Sequence, residues 1–110
     1  MAFDVALADK VRRAIPKRAK VEEKKMFGGL CFMVNGRMCL CVGRDRLMCR
    51  VDPALSEKFV RRKGCRKVVM KGRALNGYFH VDHEALRKKA AFAFWVKSAL
   101  TYNQQIRPNV

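Results

Sequence analysis

The sequence predicts an α+β fold class: one antiparallel five-stranded sheet with elements in the order α-β-β-β-α-β-β-α. Three observations predict it. Apolar runs of strand length alternate with turn signals through the middle of the chain. Asn35-Gly36 separates the first two runs, and both central positions of such a hairpin turn need positive φ. Helical spacing of apolar residues marks both ends, before Pro16 and after Asp82.

Each element has its own reason. Asp4 to Ile15 places Leu7, Ala8, Val11, Ala14 and Ile15 at helical spacing, with Asp4 as cap and Pro16 as stop. A basic connection follows, with Lys17, Arg18 and Lys20. Leu30–Val34, Met38–Val42 and Leu47–Val51 read as a meander, its second turn at Gly43 to Arg46. Asp52-Pro53 opens a short helix as N-cap and first helical residue. Leu55 and Phe59 mark its buried face, and Gly64 ends it after three cations. Lys67–Met70 and Tyr78–Val81 are the last two strands. Asp82 caps a closing helix to about Tyr102, leaving one domain over residues 1–103 and a tail over 104–110.

Composition narrows the setting. No run approaches the ~20 apolar residues that span a bilayer, and charges interrupt the first helix as no signal peptide allows. A cytoplasmic location is expected, with no membrane partner. The five cysteines are an odd number and mostly lie in apolar runs, so free thiols are expected. Lys and Arg total 25 against 9 acidic residues, a net charge of +16, which attracts polyanions.

The hairpin turns sort the strand residues by face. A two-residue turn at Asn35-Gly36 puts Cys31, Met33, Met38, Leu40, Val42, Leu47, Cys49 and Val51 on one charge-free face for the helices to cover. The other face carries Leu30, Phe32, Val34, Cys39, Cys41 and Met48, relieved only by Arg37 and Arg50. That is too apolar to stay wet. Leu30, Phe32, Cys39, Cys41 and Met48 therefore form a candidate dimer face, to be covered by a second copy or a partner. The competing reading folds the second helix or the segment before Met26 over it. A bulged turn would exchange some members between faces.

The stretch Met26-Phe27-Gly28-Gly29, followed by a Phe-containing strand and the Asn35-Gly36 hairpin, resembles the opening of TfoX N-terminal domains in the TfoX/Sxy competence-regulator family. Asn76-Gly77-Tyr78-Phe79-His80-Val81 is similar to that family's later strand, with Gly77, Tyr78 and Val81 matching. The resemblance covers nearly the whole chain. It implies a two-layer sandwich like that of secretion chaperones, a regulatory role in transcription and competence, and no catalytic residues. The second, helical domain of the longer family members has no counterpart in this sequence. Gly28-Gly29 should supply a sharp or positive-φ backbone, with Met26 and Phe27 anchoring that corner in the core.

Candidate chemistry is sparse. Cys39 and Cys41 with His80 and His83 could suggest zinc, but the thiols lie mid-strand rather than in a knuckle turn, so no metal is expected. Cys65, flanked by Lys63, Arg66 and Lys67, is the one thiol whose surroundings could depress its pKa. No serine or carboxylate pair suggests catalysis, so neither enzymatic activity, cofactor nor small-molecule substrate is expected. Arg61, Arg62, Lys63, Arg66, Lys67, Lys71 and Arg73 form a run of seven cations without an acid, a candidate nucleic-acid contact. The expected function is a regulatory binding module working through protein contacts, with direct nucleic-acid binding as the alternative.

Overall fold

The computed structural model describes residues 3–106. It is a mixed α+β fold with a single antiparallel sheet and three α-helices: α1 (Val5–Ala14), β1 (Val21–Met26), β2 (Gly29–Val34), β3 (Arg37–Val42), β4 (Arg46–Arg50), α2 (Ser56–Val60), β5 (Cys65–Met70), β6 (Arg73–Asp82) and α3 (Lys89–Gln105). Single 3₁₀ turns over Pro53–Leu55 and His83–Leu86 precede α2 and α3. The sheet has six strands rather than five, in the order β1-β2-β3-β4-β6-β5. The added strand, β1, falls where a basic connection was expected. It pairs fully with β2, from Val21 opposite Val34 to Met26 opposite Gly29.

Local chemistry accounts for the boundaries. The Asp4 carboxylate accepts the Leu7 N–H at 3.1 Å and starts α1. The expected closing helix begins later than Asp82: the 3₁₀ turn intervenes, and α3 starts at Lys89 with Lys88 at the cap position. It also runs further, through Gln105, so Gln104 and Gln105 are helical rather than tail; residues 107–110 lie outside the described residues.

A bulge decides which side chains share a face. β2 and β3 pair Val34 with Arg37 and Met33 with Met38, then Phe32 with Leu40 and Cys31 with Cys41, leaving Cys39 as the extra residue. Leu30, Phe32 and Val34 therefore turn toward the helices with Leu40, Val42, Leu47 and Cys49, while Cys31, Met33 and Met38 take the opposite face. The expected face assignment is corrected for all of β2 and for Met38 and Cys39 of β3.

The helix-side core gathers Leu7 and Val11 of α1, Phe59 of α2, and Trp95, Val96 and Ala99 of α3 on the sheet. Trp95 is 1 % exposed, with the rings of Phe59 and Phe94 at 5.5 Å and Phe79 at 6.1 Å. Burying each such ring contributes on the order of 1.5–3 kcal/mol. Asn103 of α3 donates to the Val34 carbonyl at 3.0 Å, tying the helix to β2. A second cluster fills the opposite face: Cys31, Met38, Cys41, Met48 and Val68, with Met33, Met70, Leu75 and Tyr78 against them. No helix residue belongs to it.

Candidate functional site

The Met-Phe-Gly-Gly element forms the β1–β2 turn. Phe27 and Gly28 have φ of +54° and +72°, the two positive-φ positions of a tight hairpin turn. Asn35-Gly36 and Lys71-Gly72 make turns of the same kind. A bulky side chain in this region is uncommon and strained. Contrary to expectation, this corner is not anchored in the core. Phe27 is 53 % exposed and Met26 37 %. The expected positive-φ backbone is there, and the two glycines divide the work. Gly28 carries the positive φ with open space around it, whereas a Cβ on Gly29 would collide with the Val42 carbonyl oxygen.

The later motif is structural. Gly77, at φ +82°, packs so closely that a Cβ would sit 2.6 Å from the Val51 carbonyl oxygen. Its own carbonyl accepts the Val51 N–H at 2.7 Å. Val81 is fully buried in the helix-side core. Tyr78 lies half-buried against the second cluster, with the Arg50 guanidinium 5.4 Å from its ring centre.

The cationic run follows the end of α2 and the edge strand β5. Arg61, Arg62 and Lys63 line an open cleft of about 740 Å³, together with Lys88, Asp82 and Glu84, over the side of Trp95. Not all of the run is available for phosphate. Arg66 pairs with Asp82 at 2.7 Å, and Arg62 lies over Phe94 with its guanidinium carbon 3.6 Å from the ring centre. Lys67 is half-buried, and Lys71 and Arg73 are exposed at the far β5–β6 turn. Arg61, Lys63 and Lys88 have no acidic partner within ion-pair distance among the described residues.

The expected dimer face is divided. Leu30, Phe32 and Cys39 lie in the helix-side core because the bulge inverts their facing. Cys41 and Met48 are on the second face, but each is only 4 % exposed within the single chain. Side chains of the same chain fill this face. That removes the wet apolar surface on which the expectation of a covering copy rested.

The thiols and imidazoles do not meet as a zinc site would need, and among the described residues no three His, Cys, Asp or Glu side chains converge. His83 pairs through Nδ1 with Asp4 at 2.9 Å. The His80 Nδ1 is buried without a hydrogen-bond partner. Burial, then the nearby Arg46 and Arg66, push its pKa down to about 4. Cys65 is not activated: burial raises its pKa despite Arg62 and Arg66, and its thiol donates to the Phe59 carbonyl at 3.0 Å. A different pair comes together, Cys31 and Cys41, directly opposed across β2 and β3. Both thiols approach the Met26 carbonyl, at 3.8 and 3.6 Å. Sequence reasoning missed this pair because the bulge at Cys39 alone puts them on one face.

The family model of the TfoX N-terminal domain matches residues 14–102. No curated protein and no solved structure matches the chain.

Proposed function

The chain belongs to the TfoX N-terminal domain family, and from that premise we propose that it is a non-enzymatic regulatory binding module, acting in the cytoplasm on transcription and competence through contact with another protein. The observation that carries this reading is the exposed tip of the β1–β2 hairpin. The residues by which the family is recognised put Phe27, half in water, at a backbone angle that a Phe adopts only at a cost of about 1–2 kcal/mol. The turn itself gains nothing from that choice, since Asn would suit it better. A partner that covers the ring would. The helices packed on the sheet then serve as scaffold.

The test is co-purification from the native cell after nuclease treatment, with wild-type protein and Phe27→Asn side by side. A protein partner retained by the wild type and lost from the folded variant supports the reading. Equal retention by the variant overturns it.

Direct nucleic-acid binding stands as a second reading, favoured by the unpaired cations of the cleft, Arg61, Lys63 and Lys88. Each phosphate contact adds about 0.9 to the slope of log affinity against log salt. Arg61→Glu, Lys63→Glu and Lys71→Glu together should flatten that slope by two to three such steps. An unchanged slope would remove the cleft and the β5 edge from the contact.

A further inference from the structure

The pairing register lines up a row of side chains across the sheet. Cys31 on β2 faces Cys41 on β3, and Cys41 faces Met48 on β4. Directly paired residues share a face, so two thiols and a thioether lie side by side on adjacent strands about 4.8 Å apart. They are buried together, at 0, 4 and 4 % exposure, in a cluster that also contains Met33, Met38 and Met70. The two thiols converge on one point, the Met26 carbonyl.

Buried cysteine is often only a small hydrophobe, and the other buried thiols of this chain fit that description. Cys39 and Cys49 are neighbours among Leu, Val and aromatic side chains of the helix-side core, a cluster without a methionine among the described residues. Cys31 and Cys41 differ because they converge on one carbonyl and are walled by thioethers. Soft thiolate and thioether ligands select soft ions such as copper(I). Zinc is poorly served, since a structural zinc takes four ligands and no third His, Cys, Asp or Glu joins the pair among the described residues. A monovalent d¹⁰ ion is satisfied by two or three sulfurs.

We propose that Cys31, Cys41 and Met48 form a binding site for a soft monovalent metal ion of the copper(I) class. Met48 is the third ligand: its unbranched chain is long enough to reach over the neighbouring strand, whereas His80, next in the row and two strands from Cys41, lies about 10 Å away and outside the first shell. Binding displaces thiol protons and transfers no electron, so affinity falls as pH falls. The site adjoins the β1–β2 turn, where the half-exposed Met26 gives an ion a thioether to meet first. It is independent of the docking role assigned to Phe27.

The full, reduced chain is titrated without oxygen against copper(I) held by bicinchoninate. The wild type should withdraw a single equivalent, with a thiolate-to-copper absorption in the ultraviolet and only sulfur neighbours in X-ray absorption. Cys31→Ala/Cys41→Ala should withdraw none, and Cys65→Ala should behave as the wild type. Met48→Leu conserves volume and so keeps the fold. It should bind more weakly by at least the roughly 10- to 100-fold that loss of an outer-shell partner costs, and show one sulfur fewer. This last variant keeps the test decisive should the double variant fail to fold. Copper left with the chelator by the wild type, uptake by a folded double variant, or a Met48→Leu spectrum and affinity identical to the wild type would each overturn the site.

Discussion

His80 stands between Met48 and Arg66 in the row of paired side chains, its Nδ1 cut off from any partner. Its ionisation is the residue-scale property with a global readout. Burial holds it neutral down to about pH 4, against 6.5 for the free side chain, and Arg46 and Arg66 add to the effect while Asp82 and Asp45 oppose it. The folded pKa is therefore depressed, and the unfolded chain takes up a proton that the native state refuses. Stability from this group is complete above pH 6.5, declines as pH falls toward 4, and is flat below. Urea midpoints measured from pH 7 to 4.5 should fall for the wild type and hold level for His80→Gln, which cannot titrate. Parallel curves would assign the decline to other groups. Glu23, whose pKa is lowered by its hydrogen bond to Arg12, acts in a lower window, below the ordinary 4.5.

At the scale of elements, the β1–β2 hairpin sets two different demands on adjacent glycines. Gly28 needs only its positive φ, so Gly28→Ala should cost about 1 kcal/mol of backbone strain. Gly29→Ala drives a Cβ into the Val42 carbonyl, backbone against backbone, and should cost about 2–3 kcal/mol. Denaturant unfolding of the two variants checks the order; a larger loss at Gly28 would contradict the close approach. This hairpin also shows what the sequence disclosed. Asn35-Gly36 announced its turn because both residues tolerate positive φ. Phe27-Gly28 makes the same kind of turn with a residue that propensity argues against, so the strand before it was illegible. β1 itself is Val-Glu-Glu-Lys-Lys-Met, an edge strand exposed along most of its length, and charge on an edge is how sheets avoid pairing with other chains. A long-range clamp holds it down: Arg12 of α1 binds Glu23 through Nε and Nη2, at 2.6 and 2.8 Å, and Asp9 at 2.6 Å. Nothing in the local pattern records that contact. The bulge at Cys39 was equally silent, having no glycine, and it alone turned Leu30 and Phe32 inward and brought Cys31 to Cys41. The cations of the candidate cleft were legible as a run, yet not that Arg62 would lie on Phe94 or that Arg66 would be held by Asp82.

For the whole molecule the governing quantity is charge. With 25 basic against 9 acidic residues, the acids that do form pairs, Asp9, Glu23, Asp82 and Glu84 with arginines and Asp4 with His83, neutralise a minority of the cations. The compact state then works against its own repulsion, which unfolding relieves by spreading the charge. Salt at about 0.15 M shortens the screening length to roughly 8 Å, and at 1 M to roughly 3 Å, well inside the 12.9 Å radius of gyration. The thermal midpoint of the free protein should therefore rise with sodium chloride. A bound polyanion reverses the sign. It stabilises the folded chain in proportion to occupancy, and salt weakens that occupancy steeply through counterion release. Melting curves across a salt series, with and without a short duplex DNA, should converge from opposite directions if the cleft and β5 edge take phosphate. If the duplex leaves the midpoint unchanged at the lowest salt, the charge serves repulsion and solvation alone, and the Phe27 hairpin carries the binding by itself.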